Sequence, residues 1–294
     1  MDELTLSQED ENGFRPPLHG LLRKYVGQNF GVGRNLPGPL GVFNHAWSEV
    51  EQALTSFLDS LDQLNRSASS GRDIYKDTAT ISLALRNYKS LIYEIVEFAE
   101  AIADELKFCC MPADAAHTFK VEGIKTLRSY SATICNKLKH NQNRMVFVAV
   151  RYEFGIAPGY AVCEFYNGAL KPNREIHKDQ QAFSFNTNIR RLLANAYLIA
   201  ASLIGPLQEK ADFSGDSPEL KANGRTEALL QRVSRIPPIG FPDEKSRAIS
   251  HFSFDGKTLH IRRSGSQNVP VGRMTQSQSV CEGDGETKTF PTFY

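Results

Sequence analysis

From residue 44 the apolar positions fall into alternating steps of three and four, beginning with Trp47, Val50, Leu54, Phe57, Leu61 and Leu64. This spacing keeps one face of a 3.6-residue helix apolar. It predicts a first helix that is N-capped by Asn44 and ends at Ser67-Ala68-Ser69-Ser70-Gly71. A longer run, Ile81, Leu85, Tyr88, Ile92, Ile95, Ala99, Ile102 and Leu106, predicts a second helix stopped by Met111-Pro112. A third is expected from about residue 115 to about 142, with Ile124, Leu127, Ile134 and Leu138 on one stripe.

The period then shortens to two. Val146, Val148, Val150 and Tyr152 alternate with their neighbours, as do Ala161, Cys163 and Phe165, and Gly155, Pro158 and Gly159 lie between the two runs. This pattern predicts a β-hairpin. A fourth helix is expected to start near Asn186–Asn188, run through Ile189, Leu193, Ala196, Ala200 and Leu203, and end at Gly205-Pro206. Further on, Asp255-Gly256 between Phe252, Phe254, Leu259 and Ile261 signals a second hairpin with a two-residue turn.

Short links between apolar-striped helices force neighbours to reverse direction. The expected fold is therefore mainly α: an antiparallel four-helix bundle with a β-hairpin inserted between helices three and four and a small C-terminal β-hairpin. Residues 1–43 read as an acidic tail and a Gly/Pro-rich lead-in, and 44–206 as the bundle domain with its hairpin. Residues 207–263 read as a linker, a solvent-facing helix and a hairpin appendage. Residues 264–294, rich in Ser, Gln, Gly and Thr, are expected to be disordered.

Composition narrows the function classes. With 294 residues, 41% hydrophobic and 23% charged, the chain has globular composition, and its formal net charge of +1 excludes polyanion binding by overall charge. Any basic site must be local. The five cysteines are odd in number and Cys109 and Cys110 are adjacent, which points to a reducing compartment and a cytoplasmic location. Asp2, Glu3, Glu9, Asp10 and Glu11 have no apolar run behind them, so no signal sequence is expected, and no stretch approaches the roughly 18 apolar residues of a membrane span.

Charge is segregated within the helices. Lys120, Lys125, Arg128, Lys137, Lys139, Arg144 and Arg151 stand against the single acid Glu122, whereas Glu94, Glu97, Glu100, Asp104, Glu105 and Asp114 stand against Lys107. Antiparallel neighbours can exchange salt bridges along such flanks. Alternatively, the basic helix meets a phosphate backbone, with Tyr130 and Tyr152 available for stacking.

A helical projection picks out one stripe. With Ile134 at zero, the apolar face centres near about 40°, Cys135 falls at its boundary at about 100°, and Lys125, Asn136, His140 and Arg144 lie at about 180°, 200°, 240° and 280°. An amide, an imidazole and a guanidinium thus share an outward ridge. In this reading His140 is the proton-transfer or phosphate-contacting residue, Asn136 its orienting partner, and Lys137, Lys139 and Arg144 the phosphate ligands.

The run Cys135-Asn136-Lys137-Leu138-Lys139-His140-Asn141 resembles the signature of HEPN domains. The resemblance implies a helical bundle, often dimeric, in which an Arg, commonly followed by Asn, precedes a His by a few residues. In RNA-cleaving members two protomers form a composite site that needs no metal, and many act in toxin–antitoxin or phage-defence systems. Asn136 matches the residue after the family Arg and His140 the family His, but Cys135 occupies the Arg position and carries no permanent charge. The expectation is a HEPN-like protein that associates with RNA or a nucleic-acid-bound partner in bacterial defence or toxin–antitoxin biology, with a second copy of the chain as a further candidate partner. Its alternative is a non-catalytic scaffold that binds another protein. No cofactor is expected: Gly31-Val32-Gly33 has no phosphate-loop sequel, and Cys135, His140, Cys163 and His177 lack zinc-ligand spacing.

Overall fold

The computed structural model describes residues 3–10, 12–26, 38–70, 73–109, 124–140, 143–166, 169–209, 212–215, 224–244, 248–266, 274–283 and 286–291. The helices are α1 (Leu18–Arg23), α2 (Pro39–Ser69), α3 (Thr78–Cys109), α4 (Lys125–His140), α5 (Arg174–His177), α6 (Phe185–Ser202), α7 (Ile204–Gln208) and α8 (Gly224–Arg235). The strands are β1 (Glu3–Ser7), β2 (Arg144–Tyr152), β3 (Gly155–Tyr166), β4 (Ala169–Pro172), β5 (Phe183–Ser184), β6 (Ala248–Phe254), β7 (Thr258–Ser266), β8 (Met274–Gly283) and β9 (Glu286–Pro291).

The two long helices form where the three-and-four periodicity is strongest. Trp47, Val50, Leu54, Phe57, Leu61 and Leu64 of α2 are all buried, against a face of α3 that includes Ile81, Tyr88, Ile95, Phe98 and Ile102. Phe43 and Trp47 meet Phe98 while Phe57 meets Tyr88, so the pair is antiparallel. The first helix begins at Pro39 rather than at Asn44, with proline in the first turn where its missing N–H costs no hydrogen bond. Asp77 caps the start of α3, accepting from the Thr80 backbone N–H at 3.2 Å.

The expected four-helix bundle with two small hairpins is not the architecture that forms. Among the described residues there are two antiparallel sheets, one three-stranded in the order β1-β7-β6, the other six-stranded in the order β4-β3-β2-β8-β9 with β5 also paired to β3. The hairpin expected between helices three and four is β2 and β3, but β2 pairs on its other side with β8, from the segment read as a disordered tail. The hairpin at Asp255-Gly256 is widened by β1, from the segment read as an acidic tail.

The physical reason lies in β2. Besides Val146, Val148 and Val150, the intervening Phe147 and Ala149 are buried, so both faces are covered, as for a central strand rather than a half-exposed hairpin arm. Phe147, Ala149, Tyr160 and Val162 join the main helical core, while Val146, Val148, Val150, Ala157 and Ala161 join a second core closed by Ala182 and Phe241. Gly159 is required at this contact, because a Cβ there would lie 2.2 Å from the Phe183 carbonyl oxygen and 2.8 Å from Phe241.

Helix α6 is buried on nearly all sides and packs against α3, α4, β3, β6 and β7. Ser184 caps its first turn, accepting from the Thr187 N–H at 3.3 Å. Helix α8, expected to face solvent, buries Thr226, Leu229, Leu230 and Val233 and packs on α2. Among the described residues no helix is long and apolar enough to cross a membrane.

Candidate functional site

Helix α4 lies antiparallel to α3, and its flank sets the local chemistry. Its apolar stripe is as the projection has it: Ile124, Leu127 and Ile134 are buried and Leu138 packs partly against the same core. Opposite this stripe along α3 stand Lys89, Tyr93, Glu97 and Glu100, three or four residues apart and therefore on one side of the helix. Partners pair in reverse order: the Lys139 ammonium lies over the Tyr93 ring, the Tyr93 hydroxyl donates to the Cys135 carbonyl at 3.3 Å, and Arg128 is ion-paired with Glu100.

The result is a half-buried aromatic ring with two ammonium groups near it. The Lys139 Nζ is 4.9 Å and the Lys89 Nζ 5.7 Å from the Tyr93 ring centre. Both distances are within the range of a cation–aromatic attraction. Burial pushes the Tyr93 hydroxyl above its ordinary pKa, so it stays a neutral donor. Behind it the Cys135 thiol is buried, and burial outweighs the nearby lysines to push it up to about 12. At neutral pH this thiol is neither thiolate nor cation, so Cys135 supplies none of the charge of the arginine whose position it occupies.

The ridge of residues expected to act together is dispersed. Asn136 is exposed on α4. Lys137 turns to α5, where its Nζ lies 2.7 Å from Glu175 Oε2. Arg144 is not on the helix, because α4 ends at His140; it opens β2 opposite Cys163 and is exposed. The projection carried the helical angle past the helix end, which invalidates the angle assigned to Arg144. The His140 side chain lies outside the described residues.

Neither aromatic expected to stack on bases is free to do so. Tyr152 is buried and its hydroxyl donates to the Gly240 carbonyl at 2.8 Å. Tyr130 is capped by the Arg191 guanidinium 3.8 Å from its ring centre, and its hydroxyl lies 3.0 Å from that of Tyr160 and 3.0 Å from Asn188 Nδ2. That cluster braces α4 against β3 and α6. Sequence reasoning missed Lys89 and Tyr93, although their spacing along the polar flank of the second helix was visible.

Two further polar clusters are structural. Glu244 is fully enclosed and accepts from the Ser184 and Phe241 backbone N–H groups and from the Ser184 and Thr187 hydroxyls, at 2.7 to 2.8 Å. Glu51 accepts from Trp47 Nε1 at 3.2 Å and from the Thr226 hydroxyl, fastening α8 to α2. His177 Nε2 accepts from the Val162 N–H at 2.8 Å. Among the described residues no group of three or more His, Cys, Asp or Glu side chains could hold a metal ion. Comparison of the chain with protein-family models, with curated proteins and with solved structures found no match.

Proposed function

We propose that this protein associates with single-stranded RNA, without cleaving it, through the groove between α3 and α4. One observation carries the reading: the Tyr93 ring lies on a partly exposed surface with the Lys89 and Lys139 ammonium groups 5.7 and 4.9 Å from its centre, farther than the 3.8 Å at which Arg191 caps Tyr130. An aromatic face flanked by ammonium groups offers a base a stacking surface and its neighbouring phosphates two countercharges, which is the chemistry of sequence-tolerant strand binding. Exposed Asn136 and Lys125 extend the same helix surface. The reading rests on the groove and not on membership of the HEPN superfamily.

The test is filter binding of an unstructured RNA across a salt series. Lys89→Gln with Lys139→Gln is expected to weaken binding about tenfold or more and to reduce the slope of log K against log salt by about 1.4, that is about 0.7 for each phosphate no longer neutralised. Tyr93→Leu is expected to cost a further ~1–3 kcal/mol. Equal affinity in wild type and double variant would overturn the assignment. Shortening of the RNA by the wild type that is abolished in His140→Ala would replace association with catalysis.

A further inference from the structure

Where α6 begins, three side chains are joined in a closed ring of short oxygen contacts. Ser184 Oγ lies 2.7 Å from Glu244 Oε2 and 2.7 Å from Thr187 Oγ1, which in turn lies 2.8 Å from Glu244 Oε1. A contact of this length needs a proton between its oxygens, because two facing lone pairs repel. Three contacts therefore require three protons, and the two hydroxyls supply two. If both hydroxyls donate to an ionised carboxylate, the Ser184–Thr187 contact has no proton; if one turns to the other hydroxyl, a contact with the carboxylate has none. Turning the Thr187 hydroxyl to the Ser184 carbonyl, at 3.5 Å, takes one more proton out of the ring. The third proton fits on the carboxyl. The acid then donates to one hydroxyl, that hydroxyl to the other, and the second hydroxyl back to the acid, so every contact is filled.

This carboxyl closes the end of a strap, residues 236–244, that lies on the second core. Asn186 Nδ2 donates to the Ile239 carbonyl at 2.9 Å, the Tyr152 hydroxyl to the Gly240 carbonyl at 2.8 Å and Gln180 Nε2 to the Asp243 carbonyl at 3.3 Å. Between these anchors Phe241 is buried against Gly159. The titratable groups that face Glu244 are Tyr88 of α3, Tyr130 of α4 and Tyr152 of β2, with Asp243 next to it in the strap. Burial holds all three phenols above their ordinary value, so they are neutral and bring no countercharge. On α6, Arg190 gives its guanidinium to the Val233 and Ile236 carbonyls at the far end of the strap. Burial pushes the Glu244 carboxyl up to about 7, in agreement with the proton count.

We propose that Glu244 is a carboxylic acid in the folded protein and the latch of a proton-sensitive strap. Protonated, it completes the oxygen ring and fastens residues 236–244 over the second core. Ionised, it leaves one contact of the ring without a proton and a charge in an enclosed site, and the strap opens to solvent more often. Because the folded value lies above the unfolded one, the fastening is complete below about 4.5 and is lost as pH rises through about 7. The device is independent of the groove between α3 and α4.

The first measurement is infrared spectroscopy of the wild type. At pH 6 ordinary carboxyls are ionised, so the C=O stretch of a protonated carboxyl is expected there, lost on raising the pH to 8.5 and missing at pH 6 in Glu244→Gln. The second is hydrogen–deuterium exchange corrected for the intrinsic chemical rate. In the wild type the opening constant of residues 236–244 is expected to rise on the order of a hundredfold between pH 4.5 and pH 8, levelling off above about 7, and to exceed that of α2 and α3 throughout. In Glu244→Gln it is expected to be flat with pH. Both wild-type measurements stand whether or not the variant folds. A wild type without the pH-dependent acid signal, a strap whose opening does not change with pH, or opening constants equal to those of α2 and α3 would overturn the latch.

Discussion

Glu244 shows how one buried side chain sets a pH dependence. Burial raises its pKa from 4.5 to about 7, although four donated hydrogen bonds and the nearby start of α6 favour the charged form. Because the folded value lies above the unfolded one, the stability linked to this proton is complete below about 4.5 and is lost as pH rises through about 7. Glu244→Gln cannot titrate. Comparing the two proteins by urea denaturation from pH 4 to pH 8.5 is expected to show wild type losing on the order of 3 kcal/mol relative to the variant with rising pH. A flat difference would refute the raised value. No sequence pattern marked Glu244, since three of its four donors lie 57 to 60 residues away in the chain.

At the scale of elements, charge reconciles the helices with one another. The acidic run of α3 and the basic run of α4 meet in the Arg128–Glu100 pair, and Arg232 of α8 binds Asp59 and Asp62 of α2 at 2.8 Å each. Such partly exposed pairs align helices more than they stabilise them. Arg190 of α6 acts differently. Its guanidinium donates to the Val233 and Ile236 carbonyls at 3.4 and 2.7 Å, capping the C-terminal end of α8 with a partly buried cation. Arg190→Met is expected to cost about 1–3 kcal/mol and to speed amide exchange selectively in residues 224–241, measured by hydrogen–deuterium exchange. Uniform acceleration across the chain would show that the interaction is not a local cap.

For the whole molecule, both sheets are completed by the ends of the chain. Strand β1 from the N-terminal segment and β8 from the C-terminal segment each pair with strands encoded far away. Removing residues 267–294 would turn β2 from a central strand into an edge whose both faces are apolar. That truncation is expected to destabilise the fold and cause self-association, measured by light scattering together with thermal melting. A monomer with the melting temperature of the full chain would show that β8 contributes no stability. The comparison with sequence reasoning is uneven for a related reason. The α2 and α3 stripes were legible because every buried residue recurs within one or two turns, whereas β8, Met-Thr-Gln-Ser-Gln-Ser-Val-Cys-Glu-Gly, has the polar composition of a disordered segment. The candidate groove was half legible: Lys139 stood out within the basic run, but Lys89 and Tyr93 gained meaning only beside it.

Local periodicity determined the two long helices, the apolar face of α4 and the Asp255-Gly256 turn, since each is specified by residues a few positions apart. Tertiary structure alone decided that β2 is central, that Arg144 leaves the helix ridge while Lys139 joins Tyr93, and that Glu3–Ser7 and Met274–Gly283 form strands. Strand pairing and charge neutralisation join groups far apart in sequence, and a one-dimensional pattern carries no information about which distant partner will satisfy them.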